Sequence, residues 1–415
     1  MAPSKPFACA FSRAIGDALP LGLRVQTGYA IVVMLRDRRF QPLGFARPRP
    51  RMLPTSKAPA RRSTSRRARR DRCVAARLFA FLLLLVGAGG MGGCTLGTGA
   101  TASVQQLLTE VTDFAPGQTA NLRMFKYVPA SAGPNPPMVL VLHHCFQGAA
   151  DYLEDAGWHA IADRYGLVLL LPQQSALNDL TYCFSWSHQT TQTRGRGESY
   201  AIYLMMQRMI RDHSVDPRRI FVTGLSSGGS MSLIMMAVYP EMFAGGGVIG
   251  AVPFGCATSG IAFPSCLLGG DTVANGGDPS TLAGRVRAAN PSYRGPWPRL
   301  SLWHGTEDRV SRPVNGQLIL RQWLDLHHVG PNPSESTRID RYPRDIYRNA
   351  RGQVAVEFIA LTGLGHSTPV DSASGCGRHD DSVGNFIADV GLCSSEVIAQ
   401  FWGLRPVGTA QAPRL

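Results

Sequence analysis

The sequence predicts an α/β fold in which helices cover both faces of a mostly parallel sheet. The first observation is a set of short apolar segments, such as 138–144 (MVLVLHH) and 167–172 (LVLLLP), which suit strands buried on both faces. The second is that segments with apolar residues at helical spacing alternate with these strands. Strands that alternate with helices of about 10–15 residues imply parallel pairing. We therefore expect a single domain of this class.

The elements follow one another from about residue 121 to residue 404. The predicted strands are 121–129, which has the character of an edge strand, then 138–144, 167–172, 219–224, 245–252, 300–305 and 354–363. The predicted helices are 151–166, 198–213, 227–241, 314–328 and a closing helix at 394–404. The segment 255–300 is rich in Gly, Pro and Ser, and we expect it to form an insertion over the C-terminal edge of the sheet. Ligands bind at that edge in sheets of this kind.

Charge is distributed unevenly along the 415 residues. Residues 1–94 hold 18 of the 42 Lys and Arg but only 3 of the 28 Asp and Glu, so the remaining body is about neutral. The high isoelectric point therefore gives no support for a nucleic-acid-binding face. A hydrophobic content of 44% and a charged content of 17% exclude a disordered or coiled-coil protein.

The N-terminal region has the layout of an export signal. A basic region is followed by the apolar run 78–90 and then by small residues. Because such signals begin within about 30 residues of the apolar run, translation is expected to start downstream, with Met52 as the candidate. A genuine N-terminal extension is the alternative. Processing is expected either at Cys94, by lipid attachment as in lipoproteins, or after Ala102, and a retained membrane anchor is a third option.

These features divide the chain into four predicted segments. They are 1–51, untranslated or a disordered extension; 52–102, the leader and linker; 103–405, the folded α/β domain; and 406–415, a tail. The folded body is expected outside the cytoplasm, either secreted or held as a periplasmic or outer-surface lipoprotein.

Six cysteines remain in the body, and an even number in an exported chain predicts disulfides. They are Cys145, Cys183, Cys256, Cys266, Cys376 and Cys393. Six cysteines allow 15 connectivities. The default pairs are those closest in sequence, Cys256–Cys266 and Cys376–Cys393, which leaves Cys145 with Cys183. No Cys/His set has zinc spacing, and neither a metal nor a cofactor is expected.

The strongest chemical signal is Gly224-Leu-Ser226-Ser227-Gly228, between a predicted strand and a predicted helix. At such a turn the central serine is held above the sheet as a nucleophile, and flanking glycines give room for the strained backbone. The backbone N–H of Ser227 would then face the developing oxyanion. A Gly/Ser-rich helix start or a phosphate-binding turn is the alternative, although a phosphate loop would also need a nearby lysine.

A serine nucleophile needs a base and an acid that orients the base. In this type of fold they follow in the order serine, acid, histidine, each just after a strand. Asp308 and His366 fit these positions, with Glu307 as the rival acid. The second oxyanion donor is expected in the loop 143–148, at the N–H of Cys145. An ordinary strand-to-helix loop is the alternative there.

Several segments resemble the poly(3-hydroxybutyrate) depolymerase-like esterase family, which also contains feruloyl and acetylxylan esterases. The matching segments are LVLHHCFQ (140–147), CFSW (183–186), RGRGES (194–199), VDPRRIFVTGLSSGGSM (215–231), YPEMFAGGGVIGAVPFGCA (239–257), WHGTEDRVSRPVNG (303–316) and GLGHSTPV (363–370). The resemblance implies an α/β-hydrolase fold and a catalytic triad of Ser226, Asp308 and His366. The sequence departs from the family at His144, where glycine is usual.

We therefore expect an exported serine carboxylesterase that works without a cofactor. The C-terminal segment from Gly365 looks more like secreted depolymerases of short-chain polyhydroxyalkanoates than like feruloyl esterases. A feruloyl or acetylxylan esterase is the alternative, and a non-catalytic surface lipoprotein that binds polymer or glycan is the alternative from another class. The expected partner is a polyester or an acylated polysaccharide or oligomer, with no nucleic acid, and the oligomeric state stays open.

Overall fold

A computed structural model of the protein describes residues 107–270, 277–378 and 386–409. Its strands are β1 (Thr109–Val111), β2 (Arg123–Tyr127), β3 (Met138–Leu142), β4 (Val168–Gln173), β5 (Ile220–Leu225), β6 (Gly245–Ile249), β7 (Arg299–Gly305), β8 (Glu335–Ile339), β9 (Tyr342–Arg348), β10 (Val354–Leu361), β11 (Thr368–Val370) and β12 (Ile387–Asp389). Its helices are α1 (Ala149–Asp155), α2 (Trp158–Tyr165), α3 (Gly197–His213), α4 (Ser227–Val238), α5 (Phe263–Leu267), α6 (Pro279–Ala289), α7 (Val314–Leu326) and α8 (Ser394–Phe401). The predicted segments 1–51 and 52–102, with Cys94, lie outside the described residues.

Ten strands form one sheet in the order β1-β2-β4-β3-β5-β6-β7-β10-β9-β8. The six central strands, from β4 to β10, are parallel, and the pairs at both sides are antiparallel. All five residues of β3 are buried. Such strands need cover on both faces, which explains their unbroken apolar sequences.

The two faces of the sheet carry separate hydrophobic cores. Along β3, Leu140 and Leu142 pack into the core that contains α3, α4, α6 and α7. Their neighbours Val139 and Val141 pack into the opposite core, with α1, α2 and α8. Successive side chains of a strand point to opposite faces, so one apolar segment serves both cores. The predicted fold class, a mostly parallel sheet with helices on both faces, is confirmed, and the arrangement is that of an α/β-hydrolase.

Several details differ from the sequence-based predictions, among them helices α5 and α6 inside the segment 255–300 and strands β11 and β12, which were not predicted. The segment 121–129 does not form the edge strand, because β1 pairs outside β2. The predicted helix 151–166 is two helices, which separate at Gly157, where φ is 75°. A Cβ atom at Gly157 would lie 2.7 Å from the Sγ of Cys376, so the close approach of another chain segment requires glycine there. The hairpin of β8 and β9 was not predicted at all.

The parallel strands bring the predicted site residues to one edge of the sheet. Cys145 follows β3, Ser226 follows β5, Asp308 follows β7 and His366 follows β10. Because these strands are mutually parallel, their C-terminal ends lie at the same edge. None of the helices in the described ranges is long and apolar enough to cross a membrane.

Candidate active site

Ser226 occupies a sharp turn between β5 and α4. Its backbone has φ 58° and ψ −117°, a conformation that is costly for a residue with a Cβ atom. The turn is held by a hydrogen bond of 3.0 Å from the Ser226 N–H to the carbonyl of Ile249. The Ser226 Oγ makes no hydrogen bond within the part of the chain that the structure describes. A strained serine with a free hydroxyl at this position has the geometry of a nucleophile elbow.

The two glycines that flank the turn are required by close backbone packing. A Cβ atom at Gly224 would lie 2.5 Å from the carbonyl carbon of Gly228. A Cβ atom at Gly228 would lie 2.1 Å from the carbonyl oxygen of Leu142, at the end of β3. Gly224 therefore allows helix α4 to lie close to β5, and Gly228 allows the same helix to lie close to the end of β3.

Asp308 and His366 form a buried pair. The Nδ1–H of His366 donates to Oδ2 of Asp308 at 2.7 Å, and both side chains are almost fully enclosed. The other carboxylate oxygen, Oδ1, accepts the backbone N–H groups of Val310 and Ser311, each at 2.8 Å. These three donors fix the orientation of the Asp308 carboxyl group. The rival acid, Glu307, is exposed, and its side chain makes no hydrogen bond or ion pair within the described residues.

Ser226 and His366 both lie against the end of β6. A Cβ atom at Gly250 would be 3.1 Å from both Nδ1 and Cε1 of the His366 ring, while the preceding residue, Ile249, accepts the Ser226 N–H. Phe386 packs edge-on against the ring at 5.1 Å between centroids. The Nε2 atom of His366 is buried and has no partner among the described residues. The atom that would accept a proton from Ser226 is therefore uncommitted.

His304 lies next to the pair without competing for its charge. Its Nε2–H donates to the carbonyl of Ser311 at 2.8 Å, and the same nitrogen is 3.5 Å from Oδ2 of Asp308. Burial lowers the pKa of His304 below the usual range for histidine. Because the His304 ring is neutral, the Asp308 carboxylate is available to interact with a charged His366.

Two backbone N–H groups are available for an oxyanion. Ser227 is the first residue of α4, and the N–H groups of a first helical turn have no acceptor within the helix. The Cys145 N–H donates to no other group within residues 107–270, 277–378 and 386–409. The neighbouring Phe146 N–H, in contrast, donates to the carbonyl of Thr181 at 2.6 Å. Neither N–H group has a hydrogen-bond acceptor in the described part of the chain, which is the condition that the predicted role of oxyanion donor requires.

Two buried histidines precede Cys145, and both are neutral at physiological pH. His143 donates through Nδ1–H to the carbonyl of His144 and accepts the Gln174 N–H at Nε2, which defines its tautomer. Burial lowers the pKa of His143 to about 4 and that of His144 to about 3. The ring of His144 packs edge-on against Phe386, the residue that also contacts His366. The departure from the family pattern at His144 therefore adds a neutral ring beside the site.

The six body cysteines form three disulfides in the structure: Cys145–Cys183, Cys256–Cys266 and Cys376–Cys393. These are the default pairs from the sequence. No group of three or more metal-binding side chains occurs in the described part of the chain.

Sequence reasoning gave no role to the buried polar residues that pack behind the loop 143–148. Gln174 contacts His143, and Glu198 contacts Gln174 through its carboxylate. Glu198 lies in the segment RGRGES (194–199), which contributed to the resemblance but received no role. An acidic residue among apolar helix positions was the available signal. Phe386 carried no signal in the sequence.

The fold, together with the residues at the C-terminal edge of its parallel strands, defines the class of the protein, which is an α/β-hydrolase that cleaves carboxylic esters. Within that class, the chain belongs to the esterase PHB depolymerase family, whose model matches residues 122–330.

Individual relatives agree with this assignment. The chain is 38% identical to poly(3-hydroxyalkanoate) depolymerase C of Paucimonas lemoignei over 72% of this chain and 70% of that protein. It is 30% identical to a probable acetylxylan esterase A of Aspergillus fumigatus over 63% of this chain and 70% of that protein. Among solved structures, an acetyl xylan esterase from Aspergillus awamori is similar, with a TM-score of 0.58 and 26% identity over 71% of this chain and 98% of that one.

Proposed function

We propose that this protein is an exported serine esterase that hydrolyses the esters of short-chain poly(3-hydroxyalkanoates). The observation that carries the chemistry is the pairing of His366 with Asp308 at 2.7 Å, beside the strained turn at Ser226. The observation that favours a polyester is the 38% identity to a poly(3-hydroxyalkanoate) depolymerase, against 30% for the acetylxylan esterase relative.

The proposed reaction proceeds through an acyl-enzyme. Ser226 Oγ attacks the ester carbonyl while Nε2 of His366 accepts its proton, and Asp308 stabilises the imidazolium that forms. The N–H groups of Ser227 and Cys145 stabilise the negative charge on the former carbonyl oxygen. His366 then protonates the departing alcohol. Water repeats the sequence in the second half of the reaction and releases the carboxylic acid.

We call the C-terminal edge of the parallel strands, where Ser226, Asp308 and His366 lie, the catalytic edge. Exposed apolar side chains on its loops favour a water-insoluble aliphatic substrate. Seven of the ten large apolar residues that are exposed in the described ranges lie on loops after the central parallel strands: Phe146, Leu177, Leu180, Tyr182, Ile261, Leu268 and Val310. Leu177 and Leu180 are 83% and 85% exposed. Exposed apolar residues concentrated at one edge are typical of an interaction surface.

Backbone strain near the proposed oxyanion donor adds to this argument. Phe146 and Tyr182 flank the disulfide between Cys145 and Cys183, and both have a left-handed backbone, with φ values of 62° and 56°. This conformation costs about 1–2 kcal/mol for a residue with a Cβ atom. Strain of this kind is found most often at functional sites.

The test is a substrate panel with the purified 103–415 body: poly(3-hydroxybutyrate) film, acetylated xylan, methyl ferulate and p-nitrophenyl butyrate. We expect release of 3-hydroxybutyrate products from the film, and no turnover of any substrate by Ser226→Ala. Removal of a triad member typically costs several orders of magnitude in rate. Activity on acetylated xylan or methyl ferulate with none on the film would favour the polysaccharide-ester alternative. The family assignment leaves the non-catalytic alternative without support.

Export is proposed with residues 103–405 as the catalytic domain and 52–102 as the leader. Three disulfides support it, because stable disulfides form in oxidising compartments. Mass spectrometry of material exported by a bacterial host should give a start at Cys94 with added lipid, or at Ser103. An intact N-terminus on cytoplasmic protein would contradict both processing sites.

A further inference from the structure

Glu198 is a buried carboxylate that the proposed reaction does not use. It lies in the first turn of α3 and is only 4% exposed. We propose that Glu198 is a positioning residue that holds the oxyanion loop, defined as residues 143–147, in its catalytic geometry. This inference rests on the proposed function, because the loop contains the proposed oxyanion donor, Cys145.

Four donors converge on the Glu198 carboxylate. Its Oε2 accepts the Ser185 N–H at 2.8 Å. Its Oε1 accepts the Ser185 hydroxyl at 2.7 Å, the Gln174 amide at 2.8 Å and the Asn178 amide at 3.2 Å. Burial raises the pKa of Glu198, while these donors favour the ionised form. A neutral acid would place a proton where three of its four neighbours, the Ser185 N–H and the amide nitrogens of Gln174 and Asn178, can only donate.

These donors belong to one segment, residues 174–185, which we call the support loop. Glu198 binds the support loop at its first residue, near its middle and at its last residue. Both ends of the loop are therefore fixed to the start of a long helix. Removing the charge would loosen the whole loop, because no other ionised side chain of the described residues hydrogen-bonds to Gln174 or Ser185.

The support loop is attached to the oxyanion loop at three points. The Gln174 N–H donates to Nε2 of His143 at 3.0 Å. The Phe146 N–H donates to the carbonyl of Thr181 at 2.6 Å. Between these two contacts, the disulfide joins Cys145 itself to Cys183. The position of the Cys145 N–H therefore depends on the support loop, and through it on Glu198.

An oxyanion donor acts mainly in the transition state, so its displacement should lower kcat more than it changes KM. Complete loss of one donor costs about 10²–10³ in kcat. Because displacement is milder than loss, we expect Glu198→Gln to lower kcat about 10- to 100-fold, with a change in KM below about threefold. The glutamine keeps the size of the side chain and directs an NH₂ group at existing donors.

Glu357→Gln is the matched control. Glu357 is also a fully buried carboxylate whose pKa is raised by burial, and it accepts hydrogen bonds from Ser301 and Arg344 in the middle of the sheet. Both variants should lower the melting temperature. Only Glu198→Gln should also lower kcat for p-nitrophenyl butyrate and weaken inhibition by phenylboronic acid, a mimic of the tetrahedral intermediate. Equal effects of the two variants on these readouts, or normal kcat and inhibition in Glu198→Gln, would overturn the inference.

Amide hydrogen exchange tests the same inference without catalysis. Exchange of the 143–147 backbone should be faster in Glu198→Gln than in wild type and unchanged in Glu357→Gln. If wild type hydrolyses no ester, the proposed function fails, and the exchange result still decides whether Glu198 holds the loop. If Glu198→Gln does not fold, Ser185→Ala removes one of the four hydrogen bonds and should give a smaller increase in the same exchange. Unchanged exchange in the variant that is measured would overturn the inference.

Discussion

At the scale of single residues, the acid of the proposed triad is distinguished from its neighbour by contacts. Asp308 is 1% exposed and binds His366 and two backbone N–H groups, whereas Glu307 is exposed. Asp308→Asn would present an amide to Nδ1 of His366 and favour the wrong tautomer, so we expect kcat to fall about 10⁴-fold. Steady-state kinetics on p-nitrophenyl butyrate measure this loss.

Glu307→Gln is the control for that experiment and should stay near wild type. The opposite result, an inactive Glu307→Gln with a normal Asp308→Asn, would reassign the acid. If neither substitution affected kcat, neither Asp308 nor Glu307 would be the acid, and the proposed triad would be wrong at that member.

The individual residues of the site differ in whether the sequence could predict them. Ser226, Asp308 and His366 could be predicted as a triad because each follows a strand in a fixed order, which is a property of the chain. The proposed positioning role of Glu198 depends on a loop that begins 24 residues earlier and folds back onto its carboxylate. Gly250 and Phe386 likewise contact His366 only through the tertiary fold. Contacts of this kind have no local pattern in a sequence.

At the scale of elements, apolar periodicity predicted the central strands and failed at the margins. Strands β3, β4 and β5 are mostly apolar and almost entirely buried because both faces of the sheet are covered. The hairpin of β8 and β9 lies at the sheet edge, and its sequence ESTRI–YPRDIYR is largely polar and charged. Edge strands carry charge that discourages pairing with other molecules, which removes the apolar signal on which prediction depends.

The disulfide between the oxyanion loop and the support loop should matter for both stability and rate. It closes a segment of 38 residues, which corresponds to about 4 kcal/mol in the chain-entropy model. Replacing Cys145 and Cys183 with serine should lower the melting temperature and also reduce kcat, because Cys145 carries a proposed oxyanion donor. Thermal melts and steady-state kinetics at a temperature where the variant is folded separate the two effects.

The comparison variant replaces Cys256 and Cys266, whose disulfide spans 10 residues and includes no proposed oxyanion donor. It should lose stability with a smaller change in kcat. A Cys145/Cys183 variant that is less stable but fully active would remove this disulfide from the catalytic machinery.

At the scale of the whole molecule, buried histidines predict sensitivity to acid. The pKa values of His143, His144 and the partly buried His327 lie at about 4, 3 and 4, lowered mainly by burial. Histidine in an unfolded chain titrates near 6.5. The unfolded state therefore binds more protons than the folded state between these values, so stability falls as pH decreases from about 6.5 to about 4. Each such proton contributes a slope of about 1.4 kcal/mol per pH unit.

His327→Gln isolates one of these groups. His327 donates from Nε2 to the carbonyl of Pro298 at 3.1 Å, and a glutamine amide can keep that hydrogen bond. Because Glu198 and Glu357 have raised pKa values that act with the opposite sign, the informative quantity is the difference between the two proteins. The melting temperature of the variant should fall less than that of wild type between pH 6.5 and 4. Parallel profiles would show that His327 is not charged on unfolding.

The exposed apolar residues of the catalytic edge should bind a solid polyester. The double substitution Leu177→Ser with Leu180→Ser removes two highly exposed side chains and should reduce the fraction of protein that sediments with poly(3-hydroxybutyrate) granules. Val407→Ser is the control, because Val407 is also exposed, at 55%. Its N–H donates to the carbonyl of Arg164 at the end of α2, away from the catalytic edge. Equal sedimentation of the two variants would contradict this contact surface.

The three cross-links have a consequence for how active protein can be produced. Each disulfide joins segments in the connections around the strands, and none joins one strand of the central sheet to another. The sheet and its two cores can therefore assemble while every thiol is reduced. We expect expression in a reducing cytoplasm to yield folded material with an incomplete site, which later oxidation converts to active enzyme. Recovery of activity on adding oxidised glutathione, without a matching change in far-UV circular dichroism, is the signature of that order of assembly.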